Sequence, residues 1–433
     1  MKNAFKFSRY NVLFHSDGKD YLWNTFSDAL IELTNSEAAC LKNTQFPAPD
    51  LPYFDTLYDN GCIIDKGINE LNKVLIDEKS VMLQHNPEAM YFTIAPGFEC
   101  NYDCVYCFEK DRFVYKKMSD ETIDKVCSFI INSAENNPML KIIKVNWFGG
   151  EPLLYKSIIK EISNTLMGYC EKRGVKYTAS IVTNGRFLDP DTASMLKKLN
   201  VCSVQLSFDG TKDVYVKKKR ASSEDFDATV SNICNCADII PITVRINIDD
   251  DVTDAVELTS FFLKDCGLDR KIKIYIAHIR DYTCSDAETE ADAHGRFLDA
   301  QEEYMKLFRE KFSAESFCYI PPARRYTTCP TVCRKNFCIG PDGELYRCEH
   351  FFGKPERIVG TVYDGLYNNQ QDMQYLLFRH PAKCLECEML PICLGGCMND
   401  AMNGNISLSC NKLKNRWIEL LMLEHTVEKG EMV

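Results

Sequence analysis

From residue 90 onward the chain alternates short apolar, β-branched runs with amphipathic stretches of helical spacing, and this alternation limits the folds open to it. The runs are YFTIA, IKVNWFGG, YTASIVTNG, VCSVQLSFDG, ITVRINID and KIYIAHI; between them sit stretches such as SDETIDKVCSFIINSAENN and DPDTASMLKKLN. Strand–helix repetition builds an α/β fold with a parallel sheet, and right-handed crossovers curl it into a full or partial (β/α)6 TIM-type barrel of about six units. In such barrels reactive groups gather at the C-terminal ends of the strands. The chemistry-bearing motifs fall there: CNYDCVYCFE after the first run, GGEP after the second, TNG after the third and SFDG after the fourth.

Two flanking regions break the pattern. Residues 1–85 read as a small hairpin-plus-helix module, with Asp17 and Gly18 supplying a hairpin turn between two apolar stretches. The barrel region spans 90–310 and ends in a charged helical stretch over 288–314, read as a solvated helix face. Over 318–433 periodicity gives way to cysteine spacing, followed by an amphipathic C-terminal helix.

The chain has 433 residues, enough for two or three domains, and 22 of them are cysteines. A disulfide scaffold is usually short and secreted. Here the core is large and the start turns polar too early for a signal peptide, so thiolate ligation of metal is the favoured use. Cys127 and Cys234, outside the clusters, read as small buried apolar residues on helices. No apolar run reaches the ~18–20 residues of a membrane span, and the formal charge of -11 argues against a broad nucleic-acid surface. The expectation is a cytoplasmic protein with neither nucleic acid nor membrane as partner.

Cys100, Cys104 and Cys107 follow the spacing C-x3-C-x2-C, with no histidine in the loop to complete a structural zinc site. Three thiolates can hold three irons of a [4Fe–4S] cube and leave the fourth with an open position. CNYDCVYCFE, with Tyr106 before its third cysteine, resembles the signature of the radical S-adenosylmethionine (SAM) enzymes. That resemblance covers about residues 90–300 and implies that the three cysteines ligate a cluster whose open iron chelates SAM. One electron, from a reductant such as flavodoxin or ferredoxin, then cleaves SAM to methionine and a 5′-deoxyadenosyl radical. It also implies SAM contacts from Gly149, Gly150 and Glu151, from Thr183 and Asn184, from Ser207 and Asp209, and from Arg220. Arg245 and Asn247, on the fifth strand, are further candidates to line the site. A surface charge remains the alternative for Arg220.

The tail carries Cys384, Cys387, Cys393 and Cys397 at C-x2-C-x5-C-x3-C spacing, then Cys410; upstream stand Cys329, Cys333, Cys338 and Cys348. By spacing alone both zinc and iron–sulfur ligation stay open. The pattern resembles the SPASM domain of peptide-modifying radical SAM enzymes, which implies two auxiliary [4Fe–4S] clusters and three in all. Cys384, Cys387, Cys393 and Cys410 would hold auxiliary cluster II. Cys348 and Cys397 would hold auxiliary cluster I with Cys333 and Cys338, and Cys329 is the alternative for one of these.

The N-terminal module resembles the winged-helix-like peptide recognition module of maturases acting on ribosomally made precursor peptides, in which a leader adds to an exposed strand; a plain cap on the barrel is the alternative. The overall order resembles maturases that install an intramolecular crosslink, thioether or carbon-based. A formylglycine-forming, sulfatase-maturase-like enzyme is the second reading. That family places an aspartate where this chain has Glu349, which we read as a candidate proton acceptor. A non-catalytic iron–sulfur protein that binds peptide or relays electrons is the third.

Overall fold

In a computed structural model the protein is described over residues 4–44, 47–51, 53–84, 86–109, 116–280, 287–402 and 410–428. The N-terminal module opens with strand β1 (Phe5–Phe7) and the hairpin β2 (Asn11–Ser16) and β3 (Lys19–Asn24). Asp17 and Gly18 both take positive φ, 48° and 77°, which a two-residue primed turn requires. A third antiparallel strand, β4 (Leu30–Leu33), completes this sheet, while β5 (Ile63–Asp65) pairs with β1. Helix α1 (Asn35–Asn43) packs on β3 and β4, α2 (Phe54–Asp59) on β5, and α3 (Glu70–Leu83) follows and packs on the tail.

Six parallel strands follow in sequence order: β6 (Ala89–Ile94), β7 (Ile142–Trp147), β8 (Lys176–Thr183), β9 (Val201–Phe208), β10 (Ile242–Ile248) and β11 (Ile272–His278). The intervening helices are α4 (Asp120–Glu135), α5 (Lys156–Arg173), α6 (Pro190–Lys198), α7 (Lys212–Lys219), α8 (Ser223–Cys236) and α9 (Thr253–Ser260). Their starts are written locally. Ser119 caps α4, and Asp189 accepts from Thr192 N at 2.7 Å with Pro190 in the first turn of α6.

Alternate residues of β7, β8 and β9, such as Val145, Ile181 and Leu206, are buried in the main core. Their neighbours Asn146, Ser180 and Gln205 face the other side and bond one another or Tyr275. A parallel sheet covered by helices on both faces reads as continuous apolar strands. The alternation here leaves one face of the sheet polar, where a substrate can lie.

The sheet does not close on itself. β6 continues into the tail, pairing in parallel with β12 (Phe337–Ile339), and the sheet runs on antiparallel through β13 (Glu344–Tyr346), β14 (Gly360–Thr361) and β15 (Gly365–Leu366). The tail is thus joined to the barrel by one ten-stranded sheet. Helix α10 (Ala287–Lys311) precedes it and packs on the last helix; α11 (Gln370–Leu376), α12 (Ala382–Leu385), α13 (Leu390–Cys393), α14 (Met398–Met402) and α15 (Cys410–Glu428) follow. No helix among the described residues is long and apolar enough to cross a membrane.

Candidate active site at the strand ends

The loop after β6 brings Cys100, Cys104 and Cys107 together. Burial pushes the Cys100 thiol up to about 12, and the neighbouring Glu151, Cys104 and Cys107 add to the effect. The loop is pinned at both ends: Ala95 N donates to the carbonyl of Ile339 in β12, and Val105 N to that of Lys218 in α7, each at 2.9 Å.

The double glycine lies against this loop. A Cβ on Gly150 would stand 2.4 Å from the carbonyl oxygens of Phe98 and Glu99, and one on Gly149, at φ 111°, 2.6 Å from that of Gly97. Close approach is indeed why glycine stands here, and the partner is the backbone of the cysteine loop. Glu151 is fully buried and saturated. It accepts from Leu153 N (2.9 Å), Thr183 Oγ1 (2.7 Å) and Asn184 N (2.8 Å). Burial raises its pKa, and the bonds from Asn184, Thr183 and Leu153 oppose the shift. Its side chain therefore ties two strand ends together instead of presenting a free carboxylate. Asn184 reaches back to Asn101 Oδ1 at 2.8 Å, with its amide 3.9 Å from Cys100 Sγ.

On the other side of the loop the expected Ser207, Asp209, Arg245 and Asn247 form one network. Asp209 Oδ1 accepts from Tyr106 Oη (2.6 Å) and Asn247 Nδ2 (2.9 Å), while Arg245 Nε donates to Asn247 Oδ1 (3.0 Å). A second cation in this network is Lys219, which the sequence did not single out. Its Nζ lies 3.0 Å from Ser207 Oγ and 3.5 Å from Asp209 Oδ2, with both charged side chains fully buried. Burial opposes its charge, but Asp209, Tyr106 and Cys104 outweigh that and hold its pKa above the usual lysine range. Arg220 points elsewhere. It caps α7 in the left-handed conformation (φ 52°), is half exposed, and pairs with Asp103. That reversal turns Lys219 inward and Arg220 outward.

In the tail, Cys393 feels the charges of Cys384, Cys387 and Cys410, so these four are neighbours, as the spacing suggested. With Cys397 they line a cavity of about 600 Å³ that reaches His278 at the end of β11. Of the upstream set, Cys348 feels Glu349, Cys329 and Cys397; Cys338 feels Glu349, Cys348 and Cys329. Cys329 is therefore central. Cys333 neighbours Cys329 too, so Cys329, Cys333, Cys338 and Cys348 lie along one stretch of the tail. Buried Arg347 organises this loop, donating to the carbonyls of Cys333 and Asn336 at 2.8 Å each and pairing with Asp372 at 2.7 Å. Glu349 Oε2 lies 3.8 Å from Cys338 Sγ, among the thiols. The next residue, His350, stacks edge-on against Phe108 of the first cysteine loop, centroids 4.6 Å apart.

The three-thiol loop, sulfur donors alone, suits the cluster that a radical SAM domain carries; among the described residues no three Cys, His, Asp or Glu side chains converge as a single-ion site. At the rim, the buried Asp209 Oδ2 has no hydrogen-bond partner among the described residues beyond its ion pair with Lys219, and the two stand beside Cys104.

The profile of the Radical SAM superfamily matches residues 94–262. The radical SAM cyclopropyl synthase TigE of Paramaledivibacter caminithermalis is 32% identical over 170 residues, covering 35% of this chain and about a third (34%) of that protein. A cysteine-type anaerobic sulfatase-maturating enzyme of Clostridium novyi is 24% identical, covering 73% of this chain and 91% of the relative. The crystal structure of Streptococcus suis SuiB bound to its precursor peptide SuiA shares the fold, with a TM-score of 0.51 at 16% identity, over 92% of this chain and 97% of SuiB. Residues 94–262, with their three-thiol loop at the end of the first barrel strand, form a radical SAM domain.

Proposed function

We propose that the protein is a peptide maturase that uses SAM radical chemistry to install an intramolecular crosslink in a ribosomally made precursor peptide. The observation that carries this reading is the junction of the two thiol regions: β12 extends the sheet beside β6, and His350, two residues after Cys348, packs on Phe108 of the first loop. Cys100, Cys104 and Cys107 would hold a cluster that, when bound, would supply the electron for SAM cleavage and so the radical for hydrogen abstraction. Lys219 presents an ammonium for the SAM carboxylate, Asp209 and Asn247 hold Tyr106 over the loop, and Glu151 with Thr183 and Asn184 fixes the loop's far side. The polar face of β7 to β9 orients the peptide and excludes other hydrogens from the radical.

Two further cubes would sit in the SPASM-like tail, one on Cys384, Cys387, Cys393 and Cys410, the other on Cys329, Cys348 and Cys397 with Cys333 or Cys338. Clusters held by these cysteines would supply a place for the electron released on oxidative ring closure. A fold shared over 92% of the chain with SuiB, solved with its precursor peptide, supports a peptide substrate with the N-terminal module as leader-binding element, while two anSMEcpe structures share the fold over 78% and 80%, so the product is what the test below decides.

The test is mass spectrometry of the cognate peptide, sought as a short reading frame beside the gene, after reaction with reduced, reconstituted protein. Crosslinking removes two hydrogens and leaves a ring by fragmentation. Conversion of one isolated cysteine to formylglycine, with loss of sulfur and two hydrogens and gain of an oxygen, would overturn the reading in favour of the sulfatase-maturase type. Absence of deoxyadenosine from SAM would leave only the non-catalytic alternative.

A further inference from the structure

The N-terminal module touches the tail at the turn that carries Cys384 and Cys387. Arg9 Nη2 donates to the carbonyl of Leu385 at 2.6 Å, and Thr25 Oγ1 to that of Glu388 at 2.5 Å. Tyr10 and Val74 of the module share one apolar cluster with Cys384, Leu390 and Leu394. Deeper in, Glu78 of α3 meets His380: Oε2 and Nε2 are 2.7 Å apart, with the side chains 1% and 2% exposed.

The outer atoms of this pair, Glu78 Oε1 and His380 Nδ1, have no hydrogen-bond partner among the described residues. A Cβ on Gly395 would lie 3.1 Å from His380 Nδ1 and 3.7 Å from Cys384 Sγ, so the ring nitrogen and the thiol border one gap. Gly395 also takes a positive φ of 77°, and with no side chain it keeps that gap open. Buried polar atoms are rarely left unpaired without a reason. Cluster sulfurs are acceptors, and hydrogen bonds to them set the potential of the iron.

We propose that the N-terminal module forms one wall of the Cys384–Cys387–Cys393–Cys410 site, and that His380, oriented by Glu78, is a positioning residue whose Nδ1 faces a cluster sulfur there. The inference rests on the proposal that these four thiolates hold a cluster. It adds that the module and the cluster are linked: what moves α3 moves the ring, and by reciprocity the state of the cluster bears on the module.

The experiment uses the full chain, reconstituted with iron and sulfide, comparing wild type with His380→Gln, Glu78→Gln and Thr25→Val. Readouts are iron per chain, the paramagnetic resonance spectrum after reduction, and the midpoint potential of each cluster. Cys384→Ala identifies which signal belongs to this site. His380→Gln and Glu78→Gln are expected to shift the line shape of that signal and move its midpoint to more negative values, leaving the signal of the Cys100 loop in place. Loss of that one cluster with the others retained supports the proposal equally. If either variant fails to fold, Thr25→Val, which removes a single bond at the turn, decides by the same shift. Full iron with unchanged spectra and potentials in the folded variants overturns it. Zinc, or no cluster signal, at this site in the wild type instead overturns the ligation reading beneath it.

Discussion

At the barrel rim, Cys100, Cys104 and Cys107 sit on one loop held between strands of six to eight residues over a single continuous core. In the tail, the sulfurs are spread from Cys329 to Cys410 over strands of two or three residues and short turns, which reach that core through Ile339, Leu345 and Ile392 but otherwise rest on smaller clusters of their own. The rim is framed by long strands across that core. The tail leans on ion pairs, on a wall from the N-terminal module and on whatever its thiolates bind. Ligand energy becomes folding energy where the apolar core is small, so the two regions should respond differently to the same insult.

The sharpest test removes the sulfurs of the rim. Replacing Cys100, Cys104 and Cys107 by Ala should bring SAM cleavage down to background while circular dichroism and the melting temperature of the barrel stay close to wild type; a collapsed barrel would break the contrast. Stripping iron with a chelator should open the tail to limited proteolysis before residues 94–262 are cut, and equal resistance of the two would erase the difference. Arg347→Ala leaves Asp372 buried without its cation, which costs about 3–5 kcal/mol. Chemical denaturation should show this as loss of a tail transition together with tail iron. Lys219→Met should weaken SAM binding about ten- to a hundredfold, from loss of one charge-assisted contact worth ~1.5–3 kcal/mol. Arg220→Ala, removing an exposed pair worth under ~1 kcal/mol, should change it by less than about fivefold. Equal effects of the two by calorimetric titration would return Arg220 to the site.

The rim was legible in the sequence because its signals are short-range. Three cysteines within eight positions, and motifs directly after each strand run, need no knowledge of distant pairing. What was missed turns on single backbone angles and long-range packing. Whether Lys219 or Arg220 faces inward is settled by the left-handed cap at Arg220, which adjacent cations in KKKR do not reveal. The need for glycine at Gly149 and Gly150 comes from the backbone of residues 97–99, a long-range approach that the GGE motif alone does not encode. The place of Cys329 depends on Cys397 arriving from far along the chain, and the grip of Arg9, Thr25 and Glu78 on the tail is a tertiary contact that no local pattern encodes.

The pairing of β12 with β6 has a consequence for biosynthesis. Until residues 337–339 leave the ribosome, β6 has β7 on one side and an open edge on the other, although Phe92 and Ile94 of β6 are fully buried in the finished protein. At ~5–20 residues per second, the nascent barrel carries that unpaired apolar edge for seconds, and such an edge is a template for aggregation. Chains truncated before residue 337 should therefore form inclusion bodies where chains ending beyond Leu366 do not, because the first strand of the barrel waits for the last sheet strands to cover it.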